Sequence, residues 1–145
     1  MNLRLMDYGD LVEVTRLFID AYSKPPWNEK WDYNKAFIRT KEVFDTNNSI
    51  CVVCVIEDSI VGAILSLLIP WTNGYQLEIR DFFIDTRYQN KSIGSSMLTK
   101  LRGFLTTNER IEIVLNTKRD NKLQHFYEKN GFFLNNDIIY YTKKL

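Results

Sequence analysis

Apolar residues recur along this chain at two periods, and each change of period marks a change of element. Asn2 to Leu5 alternates as a short first strand. After Asp7, residues Leu11, Val14, Leu17, Phe18 and Ala21 share one helical face. Pro25 and Pro26 end that helix, because neither has an N–H to donate. Tyr33, Phe37, Thr40, Val43 and Phe44 predict a second amphipathic helix, closed by the turn Thr46-Asn47-Asn48. Two β-branched runs, Ser49 to Ile56 and Ile60 to Ile69, flank Glu57-Asp58-Ser59 and predict a hairpin. Asn73-Gly74 marks a further turn before a long strand from Tyr75 to Asp85. A polar loop, Thr86 to Ser92, precedes the helical stripe of Ile93, Met97, Leu98, Leu101, Phe104 and Leu105. Arg110 to Leu115 alternates as a strand, and Asn121 to Asn130 reads as a helix closed by Gly131. Phe132 to Leu134 and Ile138 to Thr142 are predicted as two final strands.

Three successive strands joined by tight turns imply antiparallel pairing, and the later strand–helix–strand unit implies a parallel crossover. The expected fold class is α/β (α+β): a mixed, mostly antiparallel sheet with helices on both faces. Residues 1–145 hold no repeat, low-complexity stretch or linker, so one domain is expected.

Composition narrows the function. Nineteen basic residues oppose eighteen acidic ones, for a formal charge of +1, which argues against a nucleic-acid partner. The N-terminal residues have no apolar core of signal-peptide length, and no run approaches the ~20 apolar residues of a membrane span. Cys51 and Cys54 have the spacing of a redox or zinc pair, but positions three apart on a strand face opposite sides of the sheet. Without a second pair to complete a zinc site, they read as buried structural thiols, no metal is expected, and a reducing cytoplasm is the expected location.

The segment from Arg87 to Leu98 follows a strand and opens a helix. Such a junction aims free backbone N–H groups and the positive end of a helix dipole at one point, a natural cradle for a pyrophosphate. Arg87 and Lys91 can add charge, and Gly94 allows close approach. A plain strand-to-helix turn is the competing reading. The segment resembles the acetyl-CoA motif of GNAT acetyltransferases, Gln/Arg-x-x-Gly-x-Gly/Ala, matching at Gln89 and Gly94 and departing at Ser92, where the family usually has glycine. If that position needs positive φ, serine there costs roughly 1 kcal/mol. The resemblance implies a GNAT-like sheet of about seven strands. It also implies that acetyl-CoA contacts Gln89, Asn90, Lys91, Ser92, Ile93, Gly94 and Ser95.

Two further segments strengthen it. Leu77 to Asp85 is similar to the family's strand before the pyrophosphate loop, which splays from its parallel neighbour and exposes backbone groups. The resemblance places Phe82, Phe83 and Ile84 at those cofactor-binding positions and Glu78 where many members carry the carboxylate that takes the amine proton. Desolvation beside Leu77, Ile79 and Tyr75 could raise the Glu78 pKa, and a solvent-facing carboxylate is the alternative. Asp81 faces the other side unless a bulge intervenes, and is kept in reserve as a base and substrate contact. The helix ending Phe126-Tyr127-Glu128-Lys129-Asn130-Gly131-Phe132 resembles the other GNAT signature. It implies that Tyr127 protonates the departing thiolate and that Asn121 contacts the cofactor. His125, two positions before Tyr127, points elsewhere on the helix and reads as a surface residue.

In the family, the loop between the first two helices often serves the acceptor. Here Trp27, Trp31 and the carboxylates Glu29 and Asp32 could hold a cationic amine, or the tryptophans could simply pack the loop on the core. Trp71 is a further candidate for the same mouth. The segment Pro26-Trp27-Asn28-Glu29-Lys30-Trp31 also looks like one in small members similar to aminoglycoside acetyltransferases. The implied activity is direct transfer of an acetyl group from acetyl-CoA to a primary amine of a small molecule or peptide. A homodimer is compatible with the family. The principal alternative is a non-catalytic acyl-CoA sensor or interaction module on the same fold. A nucleotide-binding domain ranks below both, because no Walker-type glycine–lysine run is present.

Overall fold

A computed structural model describes residues 1–145. The strands are β1 (Asn2–Leu5), β2 (Ser49–Ile56), β3 (Ser59–Trp71), β4 (Gly74–Ile84) and β5 (Ile111–Leu115). The helices are α1 (Leu11–Ser23), α2 (Tyr33–Asp45), α3 (Ile93–Lys100) and α4 (Asn121–Lys129). One five-stranded sheet runs in the order β1-β2-β3-β4-β5. Every pairing is antiparallel except β4 with β5. This is the mixed, mostly antiparallel sheet that the sequence predicts. No helix is long and apolar enough to cross a membrane.

The count of about seven strands is corrected to five. Phe132–Leu134 and Ile138–Thr142 are apolar runs that read as strands, yet residues 133–145 join no backbone–backbone hydrogen bond. A strand exists only where a neighbouring edge pairs with it, and β5 is paired on its β4 side alone. The third helical stripe is also shorter than its apolar residues suggest. After Lys100 the chain tightens into a 3-10 turn over Leu101–Phe104. Gly131 closes α4 at φ +87°, as expected of a left-handed helix end.

Two apolar layers hold the sheet. On one face, the α1 stripe of Leu11, Val14, Leu17, Phe18 and Ala21 packs on Cys51, Val53, Ala63, Leu65 and Phe83. On the other, Ile93, Met97, Leu98 and Leu101 pack on Val52, Cys54, Ile64, Leu77 and Ile79. Cys51 and Cys54 thus lie on opposite faces, buried and unpaired. The buried hydroxyls of Thr15 and Thr40 meet at 2.9 Å and join α1 to α2.

The turn from β1 into α1 is clasped by charge. Arg4 on β1 donates to both oxygens of the Asp10 carboxylate at 2.7 and 2.9 Å, and the Asp7 N–H donates to the same group at 2.8 Å. The hydrogen bond from Arg4, followed by that from the Asp7 amide, outweighs burial and holds Asp10 below its ordinary value of 3.8. A depressed carboxylate stabilises the fold above its unfolded pKa, and that contribution disappears as pH falls through the folded pKa. Asp10→Asn should therefore lower the unfolding free energy at pH 7 by about 1.5–3 kcal/mol in urea titrations. The difference between variant and wild type should shrink as the pH is lowered beneath 3.8. An equal loss at all pH values would contradict this assignment.

Candidate functional site

The site begins where two parallel strands part. β5 pairs with β4 from Tyr75–Ile111 to Ile79–Leu115 and then ends. β4 continues to Ile84, so its edge towards β5 has no strand partner beyond Ile79. The splay that the resemblance implied is present, with Phe82, Phe83 and Ile84 along it. Phe82 turns its ring to Phe126 at 6.0 Å, whereas Phe83 is buried against Phe18 and Tyr22.

A β-bulge sits at the same point. Ile79 faces Ser66 and Asp81 faces Leu65, which leaves Arg80 as the extra residue. Glu78 is opposite Leu67, so Glu78 and Asp81 now occupy one face of the sheet, the face covered by α1 and α2. Strict alternation would have separated them. The two carboxylates differ in setting. Asp81 is buried and accepts two hydrogen bonds from Arg39 of α2, at 3.1 and 3.2 Å. Burial raises its pKa above the ordinary value, and Arg39 opposes that rise without cancelling it. Glu78 is 34% exposed and pairs with Arg80 Nε at 2.9 Å. The apolar enclosure expected of Glu78 is not formed, because Leu77 and Ile79 belong to the opposite face.

The loop after β4 supplies donors. Gln89 Nε2 donates to the Ile84 carbonyl at 3.1 Å and braces the loop on the strand end. Asn90 and Ser92 are both left-handed, at φ 59° and 61°. Serine therefore occupies the position where positive φ is required, at a cost of roughly 1–2 kcal/mol. The amides of Ser92, Ile93, Gly94 and Ser95 donate to no acceptor in the protein, and they point from the first turn of α3. Lys91 lies with its ammonium 5.2 Å over the Tyr88 ring, beside that turn. Arg87 does not add free charge, since Asp85 pairs with it at 2.7 Å. The value of Gly94 is steric: a Cβ there would meet the Phe126 ring at 3.0 Å, so glycine lets α3 seat directly against α4.

α4 spans the opening. Phe126 packs into the α3-side layer, and Tyr127 is next along the helix. The half-buried Tyr127 ring is held edge-on between Phe126 and Phe132, at 5.1 and 5.4 Å. Burial pushes its phenol up to about 12. Tyr22 is buried, and burial, then Asp81, then Tyr127 push its pKa up, against a smaller opposing effect of the Phe82 backbone. Asp81, Tyr22 and Tyr127 are thus each raised chiefly by burial. Asn121 is exposed at the start of α4, and His125 lies on the exposed side of the helix.

The loop between α1 and α2 folds over Tyr22 and Phe18. Trp27 packs on Tyr22 at 5.2 Å and Trp31 on Phe18 at 5.0 Å, so both tryptophans pin the loop to the core. The Trp31 face carries Arg39 at 5.7 Å, and its Nε1 donates to Glu29 at 2.9 Å. Asp32 is a helix cap, accepting from the Lys35 N–H, and its carboxylate is committed to α2. Trp71 does not share the mouth. It is exposed at the β3–β4 turn, paired with Gly74 at the far end of β4 from the splay. Cys51 is pushed up to about 11 by burial and Cys54 is raised likewise, so neither thiol is a nucleophile at neutral pH.

Sequence reasoning missed Tyr22 and Arg39. Tyr22 stands four residues after Phe18 on the buried α1 stripe, a signal for burial that says nothing of a hydroxyl at the splay. Arg39 carries no local signal; only the packing of α2 on β4 brings it to Asp81.

The chain matches the acetyltransferase (GNAT) family over residues 11–132. No curated protein sequence matches it. Among solved structures, a possible acetyltransferase from Clostridium difficile 630 superposes with a TM-score of 0.83 at 18% identity, covering 99% of this chain and 97% of that one. An aminoglycoside acetyltransferase from an uncultured soil metagenomic sample, in complex with sisomicin, gives 0.76 at 19% identity, with coverage of 99% and 95%. The aminoglycoside acetyltransferase AAC(6')-Iy, bound to a bisubstrate analogue built on CoA, gives 0.75 at 13% identity, with coverage of 99% and 98%. With the family match spanning residues 11–132, most of the chain, the protein is a member of the GNAT acetyltransferase family.

Proposed function

We propose that the protein is an N-acetyltransferase that moves an acetyl group from acetyl-CoA to a primary amine of a small molecule or peptide. One observation carries this reading: the α3 amides without acceptors and the helix that bears Tyr127 come together where Gly94 seats against Phe126, beside the β4 edge that β5 leaves unpaired. The residues fit the cofactor. Four free amides at a helix start suit a diphosphate, Lys91 adds a cation, and the open β4 edge suits the amides of a pantetheine arm. Acetyl-CoA, when bound, supplies an acyl group activated as a thioester. Neighbours whose own ligands are an aminoglycoside and a CoA-linked analogue support the same donor and an amine acceptor. Two unpaired thiols suit a cytoplasmic setting.

In this reading, Asp81 takes the proton from the acceptor nitrogen. Its buried position and raised pKa give it the basicity that an exposed carboxylate lacks. Glu78, on the same face and more exposed, steers the cationic acceptor or holds water for the same proton. Glu29, Trp27 and Trp31 line the approach. The unpaired β4 edge offers N–H groups to the acyl oxygen. Tyr127 holds its proton up to about pH 12 and can release it to a sulfur leaving group.

The sensor reading has one observation in its favour: both candidate base carboxylates are already ion-paired, Asp81 with Arg39 and Glu78 with Arg80. Incubation with acetyl-CoA and a panel of polyamines, aminoglycosides and peptides, with free thiol as readout, separates the two. Thiol release with any acceptor supports transfer. CoA binding by calorimetry with no release for any acceptor supports the sensor.

Tyr127→Phe keeps the ring packing, so it should lower kcat by roughly 10²–10⁴-fold while leaving CoA affinity unchanged. Unchanged kcat would remove the proton-donor role. In the wild type, kcat/KM should climb with pH through the raised Asp81 pKa, since the ionised form is the active one, and Tyr127 should impose no falling limb below about pH 12. Asp81→Asn should abolish that rise and reduce kcat more than Glu78→Gln does. The reverse ranking would make Glu78 the base.

A further inference from the structure

Three carboxylates of this chain are buried, Asp10, Asp81 and Asp85, and each is held by an arginine. Asp10 and Asp85 pair with Arg4 and Arg87, close by in sequence, and both titrate below the ordinary 3.8. Asp81 differs on both counts. Its partner Arg39 arrives from α2, 42 residues away, and burial still holds Asp81 above the ordinary value. A buried ion pair is a weak stabiliser, because taking two charges out of water costs about as much as their attraction gains. Asp81 also stands just past Ile79, where β5 ends and β4 continues alone. That cost, at that place, points to a use other than stability.

Arg39 is held in place from two directions. Its guanidinium rests on the Trp31 ring at 5.7 Å, and Trp31 is set edge-on to Phe18 at 5.0 Å. From there Nε donates to Oδ2 of Asp81 at 3.2 Å and Nη2 donates to Oδ1 at 3.1 Å, one N–H to each oxygen. We propose that Arg39 is a positioning residue, which aims the Asp81 carboxylate and keeps it ionised for the acceptor amine. The proposal rests on the reading of Asp81 as the base. An ionised carboxylate has about four acceptor sites, and the fork occupies two of them, so an acceptor N–H can join without displacing Arg39. No other titratable group about Asp81 plays this part. Burial keeps Tyr22 of α1 and Cys51 of β2 neutral at pH 7. Glu29 of the α1–α2 loop favours the protonated carboxyl, and Arg80 favours the ionised one without a hydrogen bond to it. With the fork removed and burial unchanged, Asp81 keeps its proton to higher pH.

NMR titration of the Asp81 side-chain carboxyl in the full chain reads its charge state without substrate. Arg39→Gln should move that titration to higher pH. Arg39→Lys, which keeps the cation but not the fork, should move it part of the way, and it decides the matter alone if the glutamine variant does not fold. A titration that stays in place in either folded variant would overturn the proposal. The rise of kcat/KM with pH should shift in the same direction, with Arg39→Lys recovering part of the kcat/KM that Arg39→Gln loses at pH 7. A carboxyl that moves while the kinetic rise stays fixed supports the hold of Arg39 on Asp81 and removes Asp81 as the base, so the two readings fail separately.

Discussion

Ladder hydrogen bonds between β4 and β5 stop at Ile79–Leu115 while β4 runs on, and the bulge at Arg80 falls at the same place. The rest of the site hangs on that coincidence. A parallel pair that ends early leaves a row of backbone donors and acceptors facing a gap, and such groups must be satisfied by something other than a strand. The bulge reverses the facing of the residues beyond it. It moves Asp81 onto the α1–α2 side, among Tyr22, Phe83 and Arg39, and leaves Phe82 to meet α4 from the other layer. The early end of β5 sets the opening, and the one inserted residue sets the facing of the side chains along it.

Electrostatics at the gap follow from burial more than from net charge. Asp81, Tyr22 and Tyr127 are all shifted upwards chiefly by loss of water, and the nearest compensating cation is the half-exposed Arg39. Arg39 also rests on Trp31, so the loop between α1 and α2 and the strand carboxylate are held by the same guanidinium. The tryptophans that look like an amine cage in the sequence thus act first as anchors of the loop. What they leave at the mouth is Glu29, tied to Trp31, and the edge of the Arg39–Asp81 pair. Any cation that reaches Asp81 competes with a guanidinium already there.

β5 has two duties in this arrangement. Its inner side pairs with β4 up to Leu115 and so fixes where the gap begins, and its outer edge is a boundary of the sheet. α4, which carries Tyr127, follows β5 in the chain and has no fully buried residue of its own. The phenol is positioned by aromatic neighbours, Phe126 and Phe132, and by the close seating that Gly94 allows.

Much of the fold could be read in the sequence because its signals are local. The α1 stripe, the hairpin runs, the left-handed end at Gly131 and the opposite facing of Cys51 and Cys54 each depend on spacing within a few residues. The donor loop from Gln89 to Ser95 and the Phe126-Tyr127 helix were legible for the same reason. Tertiary structure alone decided where β5 stops, that Arg80 bulges, that Arg39 claims Asp81 while Asp32 is spent on a cap, and that the last two apolar runs stay unpaired. Those outcomes depend on which distant segment arrives as a partner. A strand, a carboxylate or a tryptophan face carries the same local pattern whether or not that partner comes.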